Sequence, residues 1–157
     1  MDFKTLNQKV DKALNKLKKK DNLLLKVNVN ERTICHKLAE YLQKEFSKLS
    51  VDCEYNRHHE ITKTLDVPKD PINWDDMESK TVFPDIVVHK RKTDNENLLV
   101  IEIKKSSNKI HHQFDITKVK ALTMRPYNYK FGLFLEINVD GGNDFLKWYK
   151  EGSKFIP

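Results

Sequence analysis

The sequence predicts a mixed α/β domain, in which a four-stranded sheet of mixed direction is flanked by helices. Three observations carry that prediction. Apolar residues recur at three- and four-residue steps in four segments, and alternate or run together in four others. In chain order the segments read helix, helix, strand, strand, strand, helix, strand, helix. The first three strands follow one another as an antiparallel meander. A helix separates the third from the fourth, and such a crossover returns as a parallel neighbour.

At 157 residues the chain is long enough for one domain with a real core. Gly and Pro are scarce and charged residues abundant, which suits a compact, helix-rich chain. A net charge of +6 favours polyanionic partners such as nucleic acid. The charge is uneven, because residues 58–82 hold six acids against three lysines. Two cysteines, Cys35 in a helical pattern and Cys53 in a strand pattern, do not make a disulfide framework. The amphipathic lysine-rich start is unlike a signal peptide, and no apolar run approaches a membrane span. The expectation is a cytoplasmic protein with no membrane partner.

Residues 2–19 read as an amphipathic helix through Phe3, Leu6, Val10, Leu14 and Leu17, with Asp2 as its cap. Lys16, Lys18, Lys19 and Lys20 suit its C-terminal dipole, as a solvated face or as phosphate contacts. Asn30 caps a second helix, 31–48, whose apolar stripe is Ile34, Leu38, Leu42 and Phe46. Glu31 falls on its inward face in the first turn, where a carboxylate also complements the dipole. Residues 51–57 alternate as a strand, with Val51, Cys53 and Tyr55 on one face. Residues 58–82 have no clear period and read as a long loop with a short helical turn at most. Within it Trp74 is an anchor or a recognition residue, beside Asp75 and Asp76.

Residues 84–90 form the next strand, opened by Pro84, and a six-residue link makes a hairpin to 97–105. A polar turn leads to a helix over 112–123, packed through Phe114, Val119, Ala121 and Leu122. After Pro126, residues 129–137 make a buried strand carrying Phe131, Leu133 and Leu135. Gly141 and Gly142 turn the chain into a last helix from about Asn143, using Phe145, Leu146, Trp148 and Tyr149.

The chemistry concentrates between Phe83 and Ser107. The apolar run Leu98–Ile103 is interrupted by Glu102, and a carboxylate in a buried strand is costly unless paired. Glu102 and Lys104 point to one face of that strand together with Leu98 and Val100. Asp85, on the neighbouring hairpin strand, can reach the same face. With the Ile103 backbone carbonyl, Asp85 and Glu102 offer hard oxygen ligands of the kind Mg²⁺ takes. A structural Asp–Lys–Glu cluster on a half-solvated sheet face fits the same spacing. The pairs His58–His59 and His111–His112 lack zinc spacing. His89 shares the Asp85 face and reads as an ordinary strand histidine.

Pro84-Asp85 and Glu102-Ile103-Lys104, with sixteen residues between Asp85 and Glu102, resemble the PD-(D/E)XK nuclease superfamily. The predicted order from Glu31 to Ile137 is similar to that family's αβββαβ core, the restriction endonuclease-like fold. Residues 1–157 are thus expected to be a single domain with its core at about 31–137. The N-terminal helix and the 58–82 insertion lie outside that core. The resemblance implies Asp85, Glu102 and Lys104 as the catalytic acids and lysine. It adds Glu31 from the preceding helix and Lys118 from the following one, with Asp115 and Gln113 behind Lys118. Metal ligation would fall to Asp85, Glu102, the Ile103 carbonyl and Glu31. The implied activity is Mg²⁺-dependent hydrolysis of DNA phosphodiesters, with Mn²⁺ as a substitute. Lys90, Arg91, Lys92, Lys105, Lys109, Lys120 and Arg125 would hold the backbone of the nucleic acid. Cutting both strands of a duplex would favour a homodimer. The alternatives are an RNA-directed nuclease, or a non-cleaving module of the same fold that binds nucleic acid or a protein.

Overall fold

The structure is a computed structural model that describes residues 1–58, 61–68, 77–108 and 112–156. His59, Lys109, His111, Pro71, Trp74, Asp75 and Asp76 lie outside the described residues.

Helix α1 (Phe3–Lys20) starts where Asp2 accepts the Thr5 N–H at 2.8 Å. It buries Leu6, Val10, Ala13, Leu14 and Leu17. A short helix α2 (Asn22–Lys26), absent from the periodicity, follows. Helix α3 (Glu31–Glu45) is capped by Asn30, which accepts the Thr33 N–H at 2.8 Å. It ends three residues earlier than 48, and Phe46 is its C-cap.

Strand β1 (Ser50–Cys53) stops short of Arg57 because Glu54 turns left-handed at φ 50°. Cys53 is consequently exposed, and both cysteines are free thiols. The predicted loop 58–82 instead carries two small antiparallel hairpins. They are β2 (Arg57–His58) with β3 (Ile61–Thr62), and β4 (Thr64–Pro68) with β5 (Met77–Thr81). Strands β6 (Ile86–His89) and β7 (Leu99–Lys105) form the expected hairpin, and β1 pairs antiparallel with β6. Helix α4 (Gln113–Leu122) crosses to β8 (Phe131–Ile137), which lies parallel to β7 as predicted. Val119 and Leu122 of α4 are buried as expected, whereas Phe114 is exposed and Lys118 is buried.

The last predicted helix is wrong. Residues Phe145–Lys150 are strand β9, antiparallel to β8, and Ser153–Phe155 are β10 against β9. Leu146 and Trp148 alternate with Lys147 and Tyr149, and Gly141 at φ 89° makes the turn. The sheet therefore has six strands rather than four, in the order β1-β6-β7-β8-β9-β10.

Alternation splits the sheet into two buried faces. Leu99, Ile101, Ile103, Leu133 and Leu135 pack under α1 and α3 in the main core. Val87 and Val100 face the other way, against Leu122, Tyr127 and Tyr129. Phe134 and Tyr149 meet Val119 of α4. Among the described residues no helix is long and apolar enough to cross a membrane.

Candidate active site

Strand β7 outruns β6. The register starts at Ile86 opposite Ile101, so β7 beyond that point has no ladder partner on its β6 side. Asp85 fills the gap, its Oδ2 accepting the Ile103 N–H at 2.7 Å. The Ile103 N–H, rather than its carbonyl, is thus the group joined to Asp85. The Asp85 carbonyl accepts the Glu54 N–H at 3.2 Å, which ties the end of β1 to the same point.

Glu102 is on the α4 face and 1% exposed. Its Oε2 lies 2.7 Å from Lys118 Nζ. The Asp85 N–H donates to Oε1 at 3.4 Å. Lys118 also donates to the Phe83 carbonyl at 3.2 Å. The resemblance-derived choice of Lys118 is therefore brought directly against Glu102. Phe83, whose carbonyl completes the pair, has no sequence signal because any residue supplies a carbonyl.

Lys104 sits between two acids, 3.4 Å from Asp115 Oδ2 and 3.7 Å from Glu31 Oε2. Glu31 also accepts the Lys105 N–H and the Asn108 side-chain amide through Oε1, both at 3.1 Å. Asp115 thus holds Lys104 from α4, while Gln113 is exposed. Asn108 lies in the polar turn after β7, and nothing in its spacing marks it. Four carboxylates, from Glu31, Asp85, Glu102 and Asp115, face the two ammonium groups of Lys104 and Lys118.

Burial pushes the Asp85 carboxyl above its ordinary range, and the Ile103 N–H and the two lysines offset only part of this. Burial and repulsion from Asp85 push Glu102 up to about 8 despite Lys118. Burial works against the charge on Lys104, but Asp115 and Glu31 more than compensate and its proton is held more tightly than usual.

The two carboxylates fit a hydrated Mg²⁺. Both resist ionisation where they stand, each has hard oxygens, and a small divalent cation needs only one or two carboxylates beside water and phosphate. Glu31 and Glu102 alike have both oxygens engaged, Glu31 by Lys104, Lys105 and Asn108 and Glu102 by Lys118 and the Asp85 N–H, so a metal would have to displace these partners. Among the described residues no group of three or more His, Cys, Asp or Glu side chains converges in ligating geometry.

Part of the predicted basic cluster has partners within the protein. Lys90 pairs with Glu96, and Arg91 with Asp52. Lys105 Nζ holds the Val29 carbonyl at 2.8 Å, and Lys120 lies over the Tyr149 ring. Lys109 is outside the described residues. His89, 3% exposed, bonds Asp52 at 2.9 Å at the far end of β6 and does not line the site. Compared with family models, curated proteins and solved structures, the chain matches none.

Proposed function

We propose that this chain is a metal-dependent phosphodiesterase that cleaves nucleic acid, with DNA as the first substrate to try. The observation that carries the proposal is the meeting of two desolvated carboxylates, Asp85 and Glu102, beside Lys104 and Lys118 where β7 outruns β6. If all four acids ionise they outnumber the two lysines, and a divalent cation would offset the excess and favour ionisation of Asp85 and Glu102. Bound there, such an ion would polarise the phosphate and acidify a water.

The chain's own residues do the rest. Asp85 is fixed by the Ile103 N–H and Glu102 by Lys118, so neither carboxylate has to reorganise when substrate arrives. Asp115 and Glu31 aim the Lys104 ammonium and keep it charged. Placed beside the phosphate, that charge stabilises the negative charge developing on the equatorial oxygens and orients the attacking water.

Incubation with Mg²⁺ or Mn²⁺ and supercoiled, linear duplex and single-stranded DNA, with RNA as competitor, tests this. Glu102→Gln and Lys104→Ala should each lower the cleavage rate at least about 100-fold, equivalent to about 2.7 kcal/mol of barrier. If no DNA or RNA form is cut, or if the variants cut as fast as the parent, the proposal fails. One observation favours a second reading, that of a non-cleaving module. Both lysines are already neutralised by acids, as a purely structural cluster requires. In that case the variants change stability and leave nucleic-acid or protein binding intact.

A further inference from the structure

At the other end of β6, on the same sheet face, lies a second cluster that the proposed chemistry does not use. Its centre is Lys63, 1% exposed and set between β3 and β4. Two of its ammonium protons are accounted for, by the Tyr55 carbonyl at 3.0 Å and the Tyr129 hydroxyl at 3.1 Å. The rings of Tyr55 and Tyr129 lie 4.7 and 5.4 Å from Nζ. The third proton has no acceptor among the described residues, and no carboxylate there lies within 4 Å of Nζ. The nearest acids are committed elsewhere. Asp52 takes His89 at 2.9 Å and also Arg91, while Asp94 takes His58 at 2.8 Å. A buried ammonium without a counter-charge is among the most expensive groups a fold can carry.

Against Lys63 opens a polar cleft with about 10 Å³ of room, enough for one water-sized occupant. Among the described residues its lining includes Lys63, Lys92 and Asp94. We propose that this cleft is a binding site for one small monovalent anion of the halide class, seated on the free N–H of Lys63. Water would fill the space but leave the charge uncompensated. The occupant also braces the insertion, because the Lys63 carbonyl accepts the Val82 N–H at 3.0 Å and its N–H donates to Asn56 at 2.6 Å. Both Thr64 backbone groups bond the Tyr127 hydroxyl, at 2.8 and 2.6 Å. Neutralising Lys63 therefore holds the hairpins, and the segment leading to Asp85, against the body.

Crystals soaked in sodium bromide and measured at the bromine edge should show an anomalous peak in hydrogen-bonding range of Lys63 Nζ. Thermal unfolding at equal ionic strength in sodium bromide and in sodium gluconate gives the solution counterpart. Relative to gluconate, bromide should raise the Tm of the parent by several degrees more than that of Lys63→Met. Lys63→Gln serves if the methionine variant does not fold. Absence of a peak at Nζ, or the same bromide response in parent and variant, overturns the site. Neither measurement depends on nuclease activity.

Discussion

The Glu102–Lys118 pair is worth more as a pair than as its halves. Removing one member leaves the other buried and unpaired, which costs about 3–5 kcal/mol, whereas replacing both with well-packed neutral groups costs far less. Urea titration of Lys118→Met, Glu102→Gln and the double variant should therefore show a large loss for Lys118→Met that the second substitution largely repairs. Additive losses would mean that the two side chains are not coupled. Lys63 makes the complementary case in pH. Burial lowers its proton affinity to about 8, and Asp94 and Asp52 offset only part of that. Its folded value lies below the unfolded one, so between about pH 8 and pH 10 the unfolded chain binds more protons and stability rises with pH. The other titratable groups facing it are Tyr55, Tyr129, His58 and His89. Burial drives the Tyr129 hydroxyl further from ionisation, so it stays neutral across this window. Cys35, Cys53 and Tyr129, whose protons are held more tightly in the fold, contribute with the opposite sign, so the test is the difference: between pH 8 and pH 10 in gluconate the parent should gain stability relative to Lys63→Met. At this scale Asp85, Glu102 and Lys104 were legible in the sequence, because a charge in an apolar run stands out and alternation assigns its face. Lys63 was not, since a lysine in a polar segment gives no sign that the fold will bury it.

Packing between elements explains where the pattern reading succeeded and where it failed. The β7–α4–β8 unit was readable because its two strands are apolar on both faces and its helix has ends marked by polar turns. Residues 145–150 misled because four large apolar residues in five positions satisfy a helical stripe almost as well as a strand. Pairing with β8 decides between them, and that partner is distant in sequence. The β4–β5 hairpin was invisible for a related reason: its few apolar residues follow no period, and each strand's partner is separated from it by a stretch with no strand signal. Gly132 shows how tightly β8 and α4 meet. A Cβ there would lie 2.5 Å from Val119 Cγ1 and 2.9 Å from Thr123 Cγ2. Gly132→Ala should cost about 1–3 kcal/mol by overpacking. Because α4 carries Asp115 and Lys118, displacing it should also lower cleavage by the residual folded protein. An alanine variant as stable as the parent would mean that α4 can shift freely.

For the whole molecule, the proposed function asks which of its many cations would meet a polyanion. The site lies where the C-terminal ends of β7 and β8 meet the start of α3. Phe3, at the start of α1, packs on Phe131 at the opposite end of the sheet. Lys18 pairs with Asp144, just past the end of β8, so the C-terminal end of α1 is on the site side. Lys19 and Lys20, followed by Lys26 in α2, are therefore exposed cations at the site end of α1, while Lys4 is exposed at the remote end. Each phosphate neutralised in a duplex contributes about 0.9 to the slope of log affinity against log salt. Glu102→Gln, expected to cleave slowly, titrated with labelled duplex DNA by anisotropy without added divalent cation, isolates binding from chemistry. Adding Lys19→Gln, Lys20→Gln and Lys26→Gln should flatten the slope by roughly two to three, whereas Lys4→Gln should leave it unchanged. Equal effects from both ends would mean a diffuse charge interaction without a defined path for the strand. No effect from the triple substitution would shift phosphate contact to the α4 side of the site.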